Sequence, residues 1–145
     1  MSTMDTLVKK GTLVDNKCVL CCKQGESASH LLFHCPTVAE IWNYFRSYVH
    51  MDWVMPNCID LIIKGWRVKN LSTTGQALWK VLPTVITWTI WRSRNDLIFN
   101  GKLFEVQQVI TKVKAQFYYW CKNLEALEGI SLENVKSRWG QFFVI

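Results

Sequence analysis

The chain lacks the features that would place it in a membrane or outside the cell. Its uncharged apolar run at residues 81–91 is too short to span a bilayer and is interrupted by Pro83. Its first residues carry no apolar segment of the kind that directs secretion. Neither an internal repeat nor a low-complexity linker is present. We therefore expect an intracellular protein, nuclear or cytoplasmic, that does not contact a membrane.

Acidic residues are also in short supply. The 145-residue chain has 17 Lys and Arg against 11 Asp and Glu, which gives a net charge of +6. This excess favours acidic partners such as nucleic acid. Half of the residues are hydrophobic and 19% are charged, so the chain can bury a core and is not expected to be disordered. At this length we expect one compact unit.

The cysteines are unevenly distributed along the chain. Three of the six lie within residues 18–22, and Cys35 follows a short distance later. In a chain without an export signal, such clustering indicates metal binding rather than disulfides. Cys58 and Cys121 stand alone on apolar segments. We expect both to be small core residues.

The clustered cysteines and one histidine have the spacing of a zinc knuckle. Cys18, Cys21, His30 and Cys35 form the pattern C-x2-C-x8-H-x4-C. Three thiolates and one imidazole are a structural zinc donor set, and four protein ligands leave no open position for a substrate. We predict that these four residues hold one Zn²⁺ in a structural site.

Two other ligand assignments remain open at this point. His34 in place of Cys35 would give a Cys2His2 site with His30 and His34 on one helical face. Cys22 in place of Cys21 would break the two-residue spacing. We favour Cys35 because a thiolate beside zinc would normally bind it, and because H-x4-C is the knuckle spacing. His34 is then expected to be solvated or to lie beside a ligand.

The rest of the chain has helical periodicity. Apolar residues recur at helical spacing after Pro36, and Thr37 with Glu40 forms a capping-box pattern. The residues of this first stripe are Val38, Ile41, Trp42, Phe45 and Val49. Further helices are predicted at residues 59–66, 77–99, 106–124 and 131–138, with residues 67–75 as a loop. Pro83 should kink the long helix or lie in its first turn.

These patterns predict a mainly α protein. A small zinc-knuckle head, C-x2-C-x8-H-x4-C, is expected to pack on a bundle of about four to five helices. We assign the head and the first helix to residues 1–50 and the helical body to residues 51–145.

Aromatic residues are frequent, with eight Trp, four Tyr and seven Phe. We expect Trp42, Trp79, Trp88 and Trp91 to lie in the core, because they fall on apolar helix faces. Residues 117–120 are four consecutive aromatics that cannot all face inward. Together with the apolar tail 139–145, they are a candidate exposed surface for a protein partner or a homodimer.

Residues around the ligands resemble a known family. The segments 2–11, C-V-L-C at 18–21, H-L-L-F-H-C-P at 30–36 and I-W at 41–42 are similar to the reverse-transcriptase zinc-binding domain of plant LINE-type non-LTR retrotransposon polyproteins. Residues 88–101 resemble the W-x-I-W-x-x-R-N-x-x-x-F segment that follows that domain. The resemblance implies zinc binding and descent from a retroelement. It begins inside the family's domain, so we expect the preceding helix and the polymerase to be missing.

No catalytic constellation is visible in the sequence. The chain has no pair of adjacent aspartates for polymerase metal ions and no carboxylate set like that of ribonuclease H. It also shows no Ser/His/Asp, Cys/His or paired-carboxylate set beyond the zinc ligands. We therefore expect that the protein is not an enzyme.

The family's role implies binding of RNA or DNA. Candidate phosphate contacts are the basic residues that bracket the knuckle and end the long helix: Lys9, Lys10, Lys17, Lys23, Arg92 and Arg94. The lysines also have a simpler interpretation, in which they offset the charge of three thiolates. The arginines are more simply explained by stabilisation of the helix C-terminus and by pairing with Asp96 or Glu105.

Two functions are therefore predicted. The first is a retroelement-derived zinc-binding module that binds nucleic acid. The alternative is a host-recruited protein-interaction or regulatory module, in which zinc only holds the head on the helical body. The salt dependence of nucleic-acid binding distinguishes the two.

Overall fold

The computed structural model describes residues 3, 16–49, 55–56, 58–68, 71–124, 127–141 and 143. This part of the chain is mainly helical, as predicted, and contains no strand beyond one isolated antiparallel bridge between Lys17 and Gly25. Lys9 and Lys10, most of the family-like segment 2–11, and the tail positions 142 and 144–145 lie outside the described residues.

Five α-helices are present in the described ranges. They are α1 (Pro36–Arg46), α2 (Ile59–Gly65), α3 (Thr73–Asn100), α4 (Val106–Cys121) and α5 (Leu132–Ser137). A π-helical turn, His30–His34, precedes α1, and a 3-10 turn, Trp139–Gln141, follows α5. The long helix α3 packs on α4, and α4 packs on both α1 and α5.

Helix α1 begins one residue earlier than predicted. Cys35 is its N-cap and Pro36 occupies the first turn, where the missing proline N–H leaves no bond unmade. The capping box predicted at Thr37 is therefore wrong. The stripe itself is confirmed for Val38, Ile41, Trp42 and Phe45, which are all buried, whereas Val49 lies beyond the helix end.

Helix α3 is longer than its apolar pattern. The Ser72 side chain accepts a hydrogen bond from the Gly75 backbone N–H at 2.9 Å, so the helix begins at Thr73, within the predicted loop. Pro83 consequently lies in the helix interior rather than in its first turn. The helix ends at Asn100, and Gly101 caps it with a φ of 64°, the left-handed conformation that glycine adopts without strain.

The core is a continuous run of aromatic rings. The Trp66 and Trp79 rings are stacked with centroids 4.8 Å apart, and the Trp66 indole donates a hydrogen bond to the Trp79 carbonyl. Ring contacts link the following buried residues across the helices: Phe33, Trp42, Phe45, Trp66, Trp79, Phe117, Trp139 and Phe143. Burial of each such side chain contributes roughly 1.5–3 kcal/mol.

Several burial predictions are wrong. Trp42 and Trp79 lie in the core as predicted, but Trp88 is exposed and Trp91 is only partly buried. Cys121 is buried as expected, whereas Cys58 is exposed.

The predicted exposed surface is smaller than expected. Trp139 and Phe143 of the tail are buried in the core, and Phe117 is also buried. Tyr119 and Trp120 remain exposed at the end of α4. Among the described residues, no helix has the length and hydropathy that a membrane span requires.

Candidate metal centre

The knuckle comprises residues 18–35. Its first half is a tight loop closed by backbone hydrogen bonds. The Cys18 N–H donates to the Gln24 carbonyl at 2.8 Å, and the Glu26 N–H donates to the Asn16 carbonyl at 2.7 Å. Between them the Cys22 N–H donates to the Cys18 carbonyl at 2.8 Å, which closes a turn around the two ligand cysteines. Cys22 has a left-handed backbone with φ of 57°.

The second half of the knuckle explains the H-x4-C spacing. The Cys35 N–H donates to the His30 carbonyl at 2.7 Å, which is the i to i+5 bond of a π-helical turn. In an α-helix, the side chains of residues i and i+5 point in different directions. In this wider π-helical turn, His30 and Cys35 lie on the same side. The Ser27 hydroxyl fixes the start of the turn by accepting from the His30 N–H at 3.0 Å.

Four side chains converge between these two halves. One ligand atom from each of Cys18, Cys21, His30 and Cys35 lies within 4.8 Å of the other three. The Cys18 and Cys35 sulfurs are 3.9 Å apart, and the Cys21 sulfur is 3.4 Å from the His30 Nε2. Zinc bonds of about 2.3 Å to sulfur and 2.0–2.1 Å to nitrogen require tetrahedral edges of roughly 3.8 and 3.6 Å. The donor set therefore fits one zinc ion.

Electrostatic effects within the site lower the pKa of one of its cysteine thiols. The hydrogen bond from the Cys18 thiol lowers the pKa of Cys35 to about 7, with further help from the backbone N–H groups of Val38 and Thr37 and against the effect of burial. The same hydrogen bond, together with burial, raises the pKa of Cys18. Cys35 is thus the first of this pair to become a thiolate, which is the form that binds metal.

The two alternative ligands stand apart from this group. His34 is exposed, with its ring against the edge of Phe33. Cys22 is also exposed, and its sulfur is directed to the Val19 carbonyl at 3.9 Å. Within the described ranges, the Cys3His cluster is the group of three or more His, Cys, Asp or Glu residues that could hold a metal ion.

A buried ion pair attaches the knuckle to α3, and sequence reasoning did not find it. The Arg94 guanidinium donates to the Glu26 carboxylate at 2.5 Å, and both side chains are almost completely buried. Arg94 also lies over the Trp91 ring. The prediction that Arg94 pairs with Asp96 or Glu105 is wrong, because the partner is distant in sequence. The available signal was that Glu26 is the only acidic residue between Cys18 and Cys35.

The predicted phosphate contacts differ in their exposure. Lys17 and Lys23 lie on the exposed surface of the knuckle, while Lys9 and Lys10 are outside the described residues. Arg92 is exposed on α3, with its guanidinium 5.9 Å from the Trp88 ring centre. Arg94 is enclosed by its ion pair, so its guanidinium is not accessible to a phosphate.

The fold and the site together define a helical protein with a Cys3His cluster whose geometry fits a zinc ion. Residues 1–42 match the family model for zinc-binding in reverse transcriptase. The match includes all four residues of the Cys3His cluster and ends within α1. No curated protein and no solved structure gives a significant match. The similarity therefore supports the reverse-transcriptase zinc-binding family for the knuckle region.

Proposed function

We propose that this chain is a retroelement-derived, non-catalytic zinc-binding module that binds nucleic acid through basic residues around the knuckle. The observation that carries the proposal is the convergence of four zinc donors inside the segment that matches the reverse-transcriptase zinc-binding family. The similarity of residues 88–101 to the segment that follows this domain in plant LINE-type elements supports the retroelement origin.

The zinc has a structural role in this proposal. Cys18, His30 and Cys35 are buried and Cys21 is partly buried, so the ion would be enclosed by protein. Four protein ligands complete its tetrahedral coordination and leave no position for water or substrate. The matched family model is that of a zinc-binding domain and not that of a polymerase.

The charge on the knuckle surface supports nucleic-acid binding. Lys17 and Lys23 are exposed, and Glu26, the one acid between Cys18 and Cys35, is buried against Arg94. The outer surface of this segment is therefore basic. Lys9 and Lys10 are assigned the same role from the sequence. Phosphate contacts by such residues release counterions, so binding should weaken steeply with salt.

The experiment has a metal arm and a binding arm. Protein purified without chelators should contain about one zinc per chain, and a preparation without zinc would contradict the proposal. Single-stranded nucleic acid should bind with an affinity that falls with salt. The variant Lys17→Gln, Lys23→Gln should make the log–log salt slope shallower by about 1.4, at roughly 0.7 per phosphate contact. The control is Lys64→Gln, Lys80→Gln, which removes two exposed charges on α2 and α3.

One observation favours the alternative, a host-recruited protein-interaction module. Tyr119, Trp120 and Leu124 are each more than 40% exposed at the C-terminal end of α4. A contiguous patch of exposed apolar side chains is typical of a contact surface for a second chain, and these residues are the candidates for one. A homodimer through these residues predicts a concentration-dependent dimer in sedimentation velocity at micromolar protein. A monomer that is unchanged by dilution would contradict self-association.

A further inference from the structure

A groove between α3 and α4 combines basic and aromatic side chains away from the zinc ligands. It has a cavity volume of about 330 Å³. Trp88 and Arg92 line it from α3, Lys112 and Tyr119 from α4, and Lys102 from the loop between the two helices. All five of these side chains are exposed. The groove is therefore accessible along its length.

The charge in this groove is positive. Arg92, Lys102 and Lys112 contribute three cations, and Asp96 contributes one carboxylate. The Asp96 carboxylate accepts a hydrogen bond from the Asn100 side chain at 3.1 Å. In the part of the chain that the structure describes, none of the three cations forms an ion pair. The groove can therefore receive an anion without breaking an existing salt bridge.

The aromatic side chains of the groove contrast with those of the core. Trp88 is 44% exposed and Tyr119 is 54% exposed, in a protein that buries Trp42, Trp66 and Trp79 almost completely. A cation accompanies each exposed ring, since Arg92 lies over Trp88 at 5.9 Å and Lys122 over Tyr119 at 5.7 Å. A cationic group is thus adjacent to each exposed ring.

We propose that this groove binds an unpaired polynucleotide strand. The phosphates lie against Arg92, Lys102 and Lys112, and the bases stack on Trp88 and Tyr119. Sequence-independent binding of single strands uses this combination of basic groove and aromatic platform. The cavity is at the small end of the range of about 300–1,000 Å³ for ligand sites, which suits a single nucleotide of a strand that continues across the surface. A duplex keeps its bases stacked inside the helix and cannot present their faces to these rings.

This inference rests on the proposed nucleic-acid function but adds a second surface to it. Arg94, which holds the knuckle through Glu26, lies in the same turn of α3 as Arg92 and Asp96. The knuckle and the groove are therefore attached to the same turn of one helix.

The test measures binding of fluorescent oligo(dT) and oligo(U) of about 20 nucleotides to the zinc-loaded full chain. Trp88→Leu, Tyr119→Leu removes both platforms and should weaken binding by roughly thirtyfold or more, with the salt slope unchanged. Lys102→Gln, Lys112→Gln removes two phosphate contacts and should make the slope shallower by about 1.4. A duplex of the same length should bind more weakly than the single strand.

Matched controls separate these effects from general changes. Phe99→Leu removes an aromatic that is 74% exposed on α3 outside the groove, and Lys64→Gln, Lys80→Gln removes two exposed charges elsewhere. Both should bind within about twofold of wild type, since surface changes of this kind rarely alter the fold. Circular dichroism and zinc content verify that every variant is folded.

The outcomes also separate this inference from the proposed function. If the groove variants bind like wild type while Lys17→Gln, Lys23→Gln weakens binding, the groove is excluded and the proposed function stands. If only the groove variants weaken binding, the groove is supported and the knuckle lysines are not the contacts. Equal affinity for duplex and single strand would overturn the stacking model. If the wild type binds no oligonucleotide, both proposals fail.

Discussion

The knuckle and the helical body bury different kinds of side chain. The knuckle buries Cys18, Glu26, His30 and Cys35, with Leu31 and Phe33 as its only large apolar residues below the surface. Helices α1 to α5 and the segment after them bury a continuous set of aromatic and aliphatic residues. We therefore expect the knuckle to need metal to hold its conformation, and the body to keep its apolar burial without metal.

Specific contacts join the two regions. They include the buried Glu26–Arg94 pair, the hydrogen bond from the Trp42 indole to the Leu32 carbonyl at 2.8 Å, and the contact of Phe33 with Trp42. From this difference we expect that stability resides mainly in the body and metal binding in the knuckle. A variant that disrupts one region should therefore leave the structure of the other region measurably intact.

The largest effect is expected from removal of two zinc ligands. Cys18→Ser, Cys21→Ser should abolish stoichiometric zinc binding, because two of the four donors are lost. Zinc contributes on the order of 10 kcal/mol to the folding of zinc-finger peptides near neutral pH, so the knuckle should lose its order. The body should keep most of its far-ultraviolet circular dichroism, since its apolar core is intact.

The control for this variant changes two cysteines outside the cluster. Cys22→Ser, Cys58→Ser alters two exposed residues and should retain about one zinc per chain. Complete loss of helical signal in the ligand variant would show that the body depends on the metal. The contrast between the two regions would then be wrong.

The next largest effect is expected at the junction of the two regions. Arg94→Met leaves the Glu26 carboxylate buried without its ion-pair partner, which typically costs 3–5 kcal/mol. Urea unfolding measures this cost. The double variant Glu26→Leu, Arg94→Met should recover much of it, because no buried charge remains unpaired.

Arg92→Met is the matched control for the junction. Arg92 lies two residues away on the same helix and is exposed, so its replacement should change the free energy of unfolding by about 0.5 kcal/mol or less. Equal effects of Arg92→Met and Arg94→Met would show that the ion pair does not attach the knuckle to α3.

The features that could be predicted from sequence are those set by local spacing. The apolar stripe of α1 follows from the helical period, and the zinc donors follow from the small number of ligand types that a C-x2-C turn can combine. The Glu26–Arg94 pair could not be predicted, because it joins residues 68 positions apart and no local rule selects that partner. Knowledge of which face of α3 meets α4 requires the tertiary packing.

Dependence on tertiary packing also explains the wrong burial predictions. Helix α3 is apolar on most sides, so its pattern does not indicate that Trp88 faces solvent while Leu78 and Trp79 face the core. Lys114 is a charged residue of α4, yet it is buried against Tyr44 and Trp139. Its long side chain can reach a hydroxyl acceptor across the helix interface, which a residue-by-residue pattern does not encode.

A smaller effect on the free energy of unfolding is expected from substitution of a glycine in the body. Substitution of a glycine in the knuckle provides the comparison. A Cβ at Gly75 would lie 2.0 Å from the Phe143 carbonyl oxygen, which is backbone and cannot rotate away. Gly75→Ala should therefore displace the C-terminal segment and cost about 1–3 kcal/mol in urea unfolding. A Cβ at Gly25 meets only the Asn16 carbonyl at 4.0 Å, so Gly25→Ala should be neutral or slightly stabilising. Equal costs at the two sites would contradict the close packing at Gly75.

The contribution of Lys114 to the free energy of unfolding should depend on pH. Its Nζ donates to the Tyr44 hydroxyl, and burial lowers its pKa from the ordinary value of 10.5. Between the lowered pKa and 10.5 the unfolded chain binds more protons than the folded chain, so this group favours folding increasingly as pH rises. The free energy of unfolding of wild type should therefore rise relative to Lys114→Met between neutral pH and pH values near 10.

At neutral pH the net change in Lys114→Met should be below about 1.5 kcal/mol. The lost hydrogen bond is offset by removal of a buried charge. Lys112→Met, at an exposed position on the same helix, controls for the substitution itself and should cost about 0.5 kcal/mol or less. If the difference between Lys114→Met and wild type does not vary with pH, the ammonium group is not held in the buried position.

The smallest effect is expected at Cys22, where the knuckle turn is left-handed. A side chain in this conformation costs roughly 1–2 kcal/mol, which glycine avoids, although glycine adds about 0.5–1 kcal/mol of chain entropy to the unfolded state. Cys22→Gly should therefore stabilise the knuckle by less than about 1 kcal/mol and increase resistance to chelators slightly. Lys23→Gly, at the adjacent position, adds the same entropy without relieving strain and should be less stable than wild type. Loss of zinc in Cys22→Gly would mean that Cys22 is a ligand in place of Cys21, and the geometry of the knuckle would have to be reassigned.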